Sequence, residues 1–494
     1  MLTPTSPPNN RMIAMTDRSS AGLLDGFFDR ALANLRSAWR EIAGSARGVL
    51  SGGTRPDLPE DDAERLRLQM MACLDGRGGE VTARARSAAL GRTYLSLNPE
   101  GRERFLRLLA EAFDTDHAAV DRGCAALVAA ATPAERAAAE RALRTALLPP
   151  RVNLLRQFNA LPEGVKFLVD LRAELIAFAG RDPAMRGLAE DLRELLANWF
   201  DIGFLQLTRI AWDAPASLLE KLMAYEAVHE IRGWNDLKNR LEADRRCFAF
   251  FHPRMPDEPL IFVEVALVGG VAGNIQALLD EGAPVGDPQA ADSAIFYSIS
   301  NCQRGLVGIS FGDFLIKRVV DALAVELPRL KTFATLSPIP GLRAWLAGEA
   351  AQGRLALLPA EARALQAVGD SSDETPEALL LGRLERPGWH RDGALAAALR
   401  EPLLRLGATY LVNGRVPSGR RALDPVAHFH LSNGARVERL NWLGDVSEKG
   451  LQQSAGIMVN YLYRQGEIEA NHEAYRDAGR VVAAPALRNL ARSL

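Results

Sequence analysis

The sequence predicts an α+β chain in two parts, an all-helical N-terminal bundle followed by a mixed α/β domain, on three observations. Up to about residue 198, apolar residues recur at helical spacing between capping residues and short polar breaks. From Arg246 onward, β-branched and aromatic runs alternate with turns. One of those runs leads directly into a glycine-rich loop and an amphipathic helix, an order that suits the close approach of an anion.

The chain of 494 residues is long enough for two or three packed domains. Its 59 Lys plus Arg balance 61 Asp plus Glu, which argues against a general nucleic-acid binder. Only six of those cations are Lys, a bias expected of a GC-rich genome and silent about function. Cys73, Cys124, Cys247 and Cys302 form no CxxC pair, so neither a zinc ribbon nor a disulfide scaffold is expected, and the compartment reads as reducing. Residues 1–14 are rich in Pro, Ser, Thr and Asn without an apolar core; they read as a disordered start rather than a signal peptide. Cytoplasm is the location this implies. The most apolar window, Pro259 to Gly273, is broken by Glu264 and three glycines and is too short for a bilayer, so no membrane segment is expected.

The helical domain is placed at residues 15–198. Asn98-Pro99 and Thr132-Pro133-Ala134-Glu135 both read as helix starts, the second as a capping box. Phe105, Leu108, Leu109, Ala112 and Phe113 recur as one buried stripe. No solenoid repeat is found. At Trp199-Phe200 aromatics become denser, and a second domain is placed at 199–494. Its strands are expected at Cys247–Phe251, Leu260–Val268 and Ala294–Ser300, with a helix at Gly273–Asp280. After the loop Gln303–Gly312, a helix runs to about Leu327 with Ile316, Val319, Val320 and Leu323 inward. A short strand, Thr332–Leu336, ends at Ser337-Pro338-Ile339-Pro340-Gly341, and residues 342–413 read as helical. Val426–Leu431 and Ala435–Trp442 flank Ser432-Asn433-Gly434 as a predicted hairpin.

Three constellations could carry chemistry. The loop at 303–312 suits a pyrophosphate, although Gly305, Gly308 and Gly312 match neither a Walker loop nor GxGxxG, and a plain tight turn reads as well. Lys317 and Arg318 could meet outer phosphates or serve as a solvated helix face. His428-Phe429-His430, on a strand, would place two imidazoles on one face. With no third ligand at conventional spacing, a single His as acid or base is preferred over a metal pair. Ser337 is held extended by Pro338 but does not sit in GxSxG. Tyr461 and Tyr463 read as core aromatics whose polar tips could reach a cleft.

The stretches Ala294–Ser300, Gln303–Gly312, Phe314–Val320, Leu336–Gly341 and Phe429–Gly434 with Asn441-Trp442 closely resemble the malonyl-CoA decarboxylase family, in order and with its spacing. The resemblance is strongest from about Trp199 to Tyr463. It implies a helical domain used in homo-oligomer contacts, dimer or tetramer, and a catalytic domain of the acyl-CoA N-acyltransferase (GNAT-like) type, whose strand-to-helix loop binds the CoA pyrophosphate. Carried over by motif, the CoA-binding segment comprises Gly305 and Val307, Gly308, Ile309, Ser310, Phe311, Gly312 and Asp313. The catalytic serine falls on Ser337, the catalytic histidine on His430, and a tyrosine lining the cleft on Tyr463. Ser310 stands where family members often carry an acid and His428 where they carry Asn, so neither takes a role by analogy.

The implied reaction converts malonyl-CoA to acetyl-CoA and CO2, with Ser337 as proton acceptor and His430 as proton donor. The thioester is itself the electron sink, so no cofactor or metal is expected. An acyl-CoA N-acyltransferase and a non-catalytic acyl-CoA sensor are the competing readings. Ser337 and His430 at family spacing favour the decarboxylase, and no biotin attachment sequence is present.

Overall fold

The computed structural model describes residues 39, 42, 53–75, 79–180, 182–309, 315–368, 374–417 and 419–492. The chain divides into two compact units. One comprises Met1–Phe200 with Arg254–Pro256 and Gln303–Ile309; the other comprises Asp201–Pro253, Asp257–Cys302 and Ser310–Leu494.

The first unit is helical: α1 (Glu60–Leu74), α2 (Gly79–Ser96), α3 (Pro99–Ala112), α4 (His117–Ala129), α5 (Pro133–Ala146), α6 (Pro150–Phe158), α7 (Gly164–Ala179) and α8 (Pro183–Trp199). Its starts follow the predicted chemistry. Asn98 accepts from the Gly101 amide, and Thr132 with Glu135 closes the full capping box. The buried stripe of α3 is turned from the expected one: Phe105, Leu109 and Phe113 are buried as predicted, but Leu106 and Ala110 join them while Ala112 is exposed. Aromatic rings fill the centre. Phe167 meets Trp39, Phe158 and Tyr94 at centroid distances of 4.8, 5.0 and 5.7 Å. The Trp39 indole donates to the Pro162 carbonyl at 2.8 Å, satisfying the one polar group this ring brings inside.

The second unit carries β1 (Gln206–Ile210), α9 (Ala216–Tyr225), α10 (Trp234–Arg240), β2 (Arg245–His252), β3 (Met255–Val268), α11 (Ile275–Leu278) and β4 (Ser293–Asn301). The N-terminal residues of β3, Met255 and Pro256, group with the helical unit. There follow α12 (Leu315–Glu326), β5 (Thr332–Thr335), β6 (Ser337–Pro338), and a helical run of α13 (Leu342–Ala351), α14 (Pro359–Gln366), α15 (Pro376–Glu385) and α16 (Gly393–Asn413). The chain closes with α17 (Pro425–Ser432), β7 (Arg436–Asn441), α18 (Glu448–Ser454), β8 (Met458–Tyr463), α19 (Ile468–Ala478) and α20 (Pro485–Leu490). The architecture is therefore the expected α+β one. Ile316, Val319, Val320 and Leu323 of α12 are all fully buried, as their spacing predicts.

One mixed sheet runs β1-β2-β3-β4-β5-β8-β6, with β7 also pairing β8. The β4–β5 pair is parallel and is bridged by α12, while β3–β4, β5–β8, β6–β8 and β7–β8 are antiparallel. β8 is the organising strand. Along one edge it pairs with β5 and then β6, so Phe333 lies opposite Tyr463 and Ser337 opposite Val459; along the other it pairs with β7. Neither β1 nor β8 was foreseen in the sequence. The helix expected at Gly273–Asp280 is a single turn, Ile275–Leu278, capped by Asn274.

The segment 426–431, predicted as a strand, is a helix. Asp424 accepts from the Ala427 amide at 2.9 Å, Pro425 occupies the first helical position, and the helix ends at Asn433-Gly434 with Gly434 at φ +79°. The pair read as a hairpin turn is thus the C-terminal stop of α17. A Cβ at Gly434 would stand 2.2 Å from the Ile468 carbonyl oxygen, so the stop needs glycine twice over.

Candidate active site

The correction to α17 changes the histidine pair. Residues two apart on a helix are rotated by about 200°, so His428 and His430 point to opposite sides. His428 Nδ1 lies 2.8 Å from the Tyr475 hydroxyl. His430 turns inward to Ser337 and Tyr463. The convergent pair expected of a strand is absent, and His430 stands as the single imidazole facing the serine.

Ser337 is placed by extended backbone. Thr335 and Ser337 are two residues apart on the β5–β6 segment, share one side of it, and lie 2.9 Å apart through their hydroxyls. From across α17, His430 Nε2 reaches Ser337 Oγ at 3.2 Å. On its other nitrogen, His430 Nδ1 lies 2.8 Å from the Tyr463 hydroxyl. Tyr461, two residues earlier on β8, stacks its ring on the imidazole at 4.5 Å and 25°.

The directions of these bonds follow from one another. Ser337 gives its hydroxyl hydrogen to Thr335 Oγ1, which also accepts the Tyr461 amide. Ser337 Oγ then accepts from His430, which fixes the tautomer with hydrogen on Nε2. Nδ1 is left as the acceptor of the Tyr463 O–H. The result is a single chain of donors running from Tyr463 through His430 to Ser337 and Thr335.

Every member of that chain is buried, and burial sets its protonation. Desolvation pushes the His430 pKa down to about 3, so the imidazole is neutral at pH 7. The Tyr461 and Tyr463 hydroxyls are pushed well up by the same cause and stay protonated. Asp424 rises to about 6 because burial outweighs the hydrogen bonds it accepts from the backbone amides of Ala427, Gly341 and Val426 and from the Tyr410 hydroxyl.

Asp424 joins the two segments that carry Ser337 and His430. It caps the helix bearing His430 and accepts from Gly341, the last residue of the Ser337–Gly341 turn. Gly341 has no room for a side chain, since a Cβ would lie 2.2 Å from the Tyr410 hydroxyl. Sequence reasoning missed Thr335, Asp424, Tyr410 and Gly341. The Thr-x-Ser alternation and the Asp424-Pro425 helix start were the available signals for the first two; the roles of Tyr410 and Gly341 exist only in the fold.

The predicted CoA-binding residues fall elsewhere in the chain's organisation. Gly305, Val307, Gly308 and Ile309 belong to the helical unit, in a turn against α7; Ser310, Phe311, Gly312 and Asp313 lie outside the described residues. Of the two candidate cations on α12, Lys317 pairs with Glu469 at 2.7 Å, and Arg318 donates to the Leu205 carbonyl with its guanidinium over the Phe250 ring.

Residues 203–494 match the family model of the malonyl-CoA decarboxylase C-terminal domain, and residues 113–200 that of the malonyl-CoA decarboxylase N-terminal domain. The mitochondrial malonyl-CoA decarboxylase of Mus musculus is 36% identical over 502 residues, covering 95% of this chain and 98% of its own. That of Anser anser anser is 38% identical over 409 residues, 80% of each chain. Among solved structures, malonyl-CoA decarboxylase from Rhodopseudomonas palustris superposes with a TM-score of 0.77 at 42% identity, covering 86% of this chain and 99% of that one. The Agrobacterium vitis enzyme gives 0.76 at 42% identity over the same shares.

Proposed function

This chain belongs to the malonyl-CoA decarboxylase family, enzymes of the carboxy-lyase class, and we propose that Ser337, His430 and Tyr463 perform its conversion of malonyl-CoA to acetyl-CoA and CO2. The observation that carries the assignment is the donor chain from the Tyr463 hydroxyl through His430 to Ser337.

Decarboxylation breaks the bond between the α-carbon and the carboxylate, and its electron pair moves into the thioester as an enolate. The thioester accepts that charge itself, so the reaction as proposed calls on no cofactor. The α-carbon must then be protonated. A neutral imidazole that gave up its Nε2 hydrogen alone would become an anion in a dry site. With Tyr463 bonded to Nδ1, its proton moves onto Nδ1 as the Nε2 proton leaves for carbon, and the ring stays neutral. The proton that Tyr463 yields is replaced by one taken up from solvent, so one proton is consumed for each CO2 released. Ser337 accepts the Nε2–H in the resting site and holds that hydrogen in place; with substrate bound, its hydroxyl turns its hydrogen from Thr335 Oγ1 to the malonyl group.

The CoA pyrophosphate is assigned to Gly305, Val307, Gly308 and Ile309 with Ser310, Phe311, Gly312 and Asp313, on family spacing and on the exposed turn at Val307-Gly308. A homo-oligomer through the helical domain is supported by α4 and α5, which pack chiefly on each other and leave Val128 88% exposed, with Leu147 and Leu148 beside them. No helix among the described residues is long and apolar enough to cross a membrane. A cytoplasmic location is the proposal that cell fractionation tests, since the mouse and rat relatives are named mitochondrial.

The test is turnover of malonyl-CoA by the purified, chelator-treated enzyme, followed by mass. Acetyl-CoA and CO2 in equal amounts, abolished in both Ser337→Ala and His430→Asn, are expected. Transfer of the acyl group to an amine, or tight CoA-ester binding without product, would overturn the reading.

A further inference from the structure

The geometry points to Arg172, on helix α7 of the helical unit, as a positioning residue for the CoA-binding turn, so that this unit shapes substrate recognition as well as assembly. The inference rests on the decarboxylase reading and on the loop at Gly305–Ile309 as the place where CoA binds.

Arg172 is buried within its unit, and its guanidinium Nη1 donates to the carbonyl oxygens of Gly305 and Val307 at 2.5 and 2.9 Å. A buried arginine spent on two main-chain carbonyls of one turn fixes the orientation of two peptide planes at once. Gly305 is pressed against the same helix, since a Cβ there would lie 1.7 Å from the Val169 carbonyl oxygen. The turn therefore cannot shift toward α7, and Arg172 prevents it from rotating.

What the clamp leaves facing outward is specific. The amides of Leu306, Val307 and Ile309 are used inside the turn, by the carbonyls of Gln303, Arg304 and Leu306. The Gly308 amide has no hydrogen-bond partner among the described residues, and Gly308 is exposed at φ +77°. Its peptide plane is the one whose carbonyl, that of Val307, is held by Arg172. In a planar trans peptide the N–H points opposite the C=O, so the clamp aims the Gly308 N–H away from α7 and into solvent. An amide fixed in that way is a ready donor to a phosphate oxygen. Without Arg172 the same turn would lose both carbonyl partners and the plane would be free to rotate.

The experiment compares two malonyl thioesters on wild type and Arg172→Ala: malonyl-CoA, and malonyl-N-acetylcysteamine, which ends before the pyrophosphate. The expected result is a KM for malonyl-CoA raised by about tenfold or more with kcat within about twofold, and an unchanged kcat/KM for the short thioester. A general packing defect would lower both substrates alike, and that outcome, or an unchanged KM for malonyl-CoA, overturns the inference. Arg172→Lys, which keeps the charge and one donor, gives the same comparison if the alanine variant does not fold. Binding of adenosine 3′-phosphate 5′-diphosphate, the nucleotide end of CoA, is measured on the same proteins. Its weakening in the variant supports the clamp even if wild type proves not to decarboxylate, and equal affinity in both overturns it.

Discussion

His430 Nε2 stands 3.2 Å from Ser337 Oγ although 93 residues separate them in the chain. β8 makes that contact possible. It pairs with the Ser337 segment along one edge and with β7, the strand that follows the His430 helix, along the other, and it contributes both Tyr461 and Tyr463 to the imidazole. Asp424 adds a second tie between the same two segments. The pair is thus held by a strand pairing and by one buried carboxylate.

Removing either end of the pair should stop chemistry without loosening CoA. Ser337→Ala and His430→Asn are expected to lower kcat by about 10²–10⁴-fold, with the affinity for CoA retained. Tyr463→Phe, which takes away only the donor to Nδ1, should lower kcat by about tenfold or more while the fold is kept. Steady-state kinetics with calorimetric CoA binding checks all three. Near-normal kcat in His430→Asn would exclude the proton relay.

Burial of His430 has a consequence for stability in acid. Its folded pKa is pushed from 6.5 down to about 3, so between those values the unfolded chain carries a proton that the folded one lacks. Stability from this site therefore rises with pH across that window and levels off above pH 6.5. Asp424 acts in the opposite sense: raised from 3.8 to about 6, it binds its proton more tightly when folded, and that contribution declines as pH rises through the interval. Urea unfolding of wild type, His430→Asn and Asp424→Asn between pH 4.5 and 7.5 should show a shallower acid loss in the first variant and a steeper one in the second. Parallel curves for wild type and His430→Asn would mean that the histidine is solvated in solution.

Gly341 and Tyr410 give a paired test of how the serine turn is held. A methyl group at Gly341 would meet the Tyr410 hydroxyl at 2.2 Å, with the next ring carbon at 3.3 Å. Tyr410 cannot easily yield, because its ring packs on Trp345 at 5.1 Å and its hydroxyl bonds Asp424. Gly341→Ala alone is expected to lower both thermal stability and kcat, whereas Gly341→Ala with Tyr410→Phe removes the clashing oxygen and should recover a measurable part of both. Strict additivity of the two substitutions in thermal melts would show that the contact is not what limits the turn.

The sequence was most legible where one local rule acted alone. Asn98-Pro99 and Thr132-Pro133-Ala134-Glu135 start helices as their side chains dictate, and α12 buries the four residues its period marks. Legibility failed at 424–434 because the same residues satisfy two rules. Val426, His428 and His430 alternate with period two, and Asn433-Gly434 suits a hairpin, yet Asp424-Pro425 is equally a helix start and Asn433-Gly434 a helix stop. Eight residues are too few for periodicity to decide, and the cap chemistry decided instead. Ser337, His430 and Tyr463 were named from family spacing, and their common contact lies in tertiary pairing that no local pattern records. The glycine-rich loop carried a different surprise. Its first glycine, Gly305, serves close packing on α7 as much as any ligand.

Thr335 supplies the last prediction, because it anchors the end of the donor chain. Its hydroxyl oxygen receives both the Ser337 O–H and the Tyr461 amide, and its carbonyl receives Asn460 Nδ2 at 2.6 Å. Thr335→Val keeps the shape and the carbonyl but takes the acceptor from two buried donors, and the Tyr461 amide left without one costs about 1–3 kcal/mol. Ser337 would then turn its hydrogen to the nearest remaining acceptor, His430 Nε2, which requires the other imidazole tautomer and leaves Nδ1–H pointing at Tyr463. That reversal takes the hydrogen off the nitrogen proposed to protonate carbon. Thr335→Val should therefore lower kcat by about tenfold or more while KM for malonyl-CoA holds, and Thr335→Ser, which restores the oxygen, should recover most of the rate. The tautomer itself is readable from the ring nitrogen shifts of labelled His430, with hydrogen on Nε2 in wild type and on Nδ1 in the valine variant; the same tautomer in both would remove Thr335 from the chain.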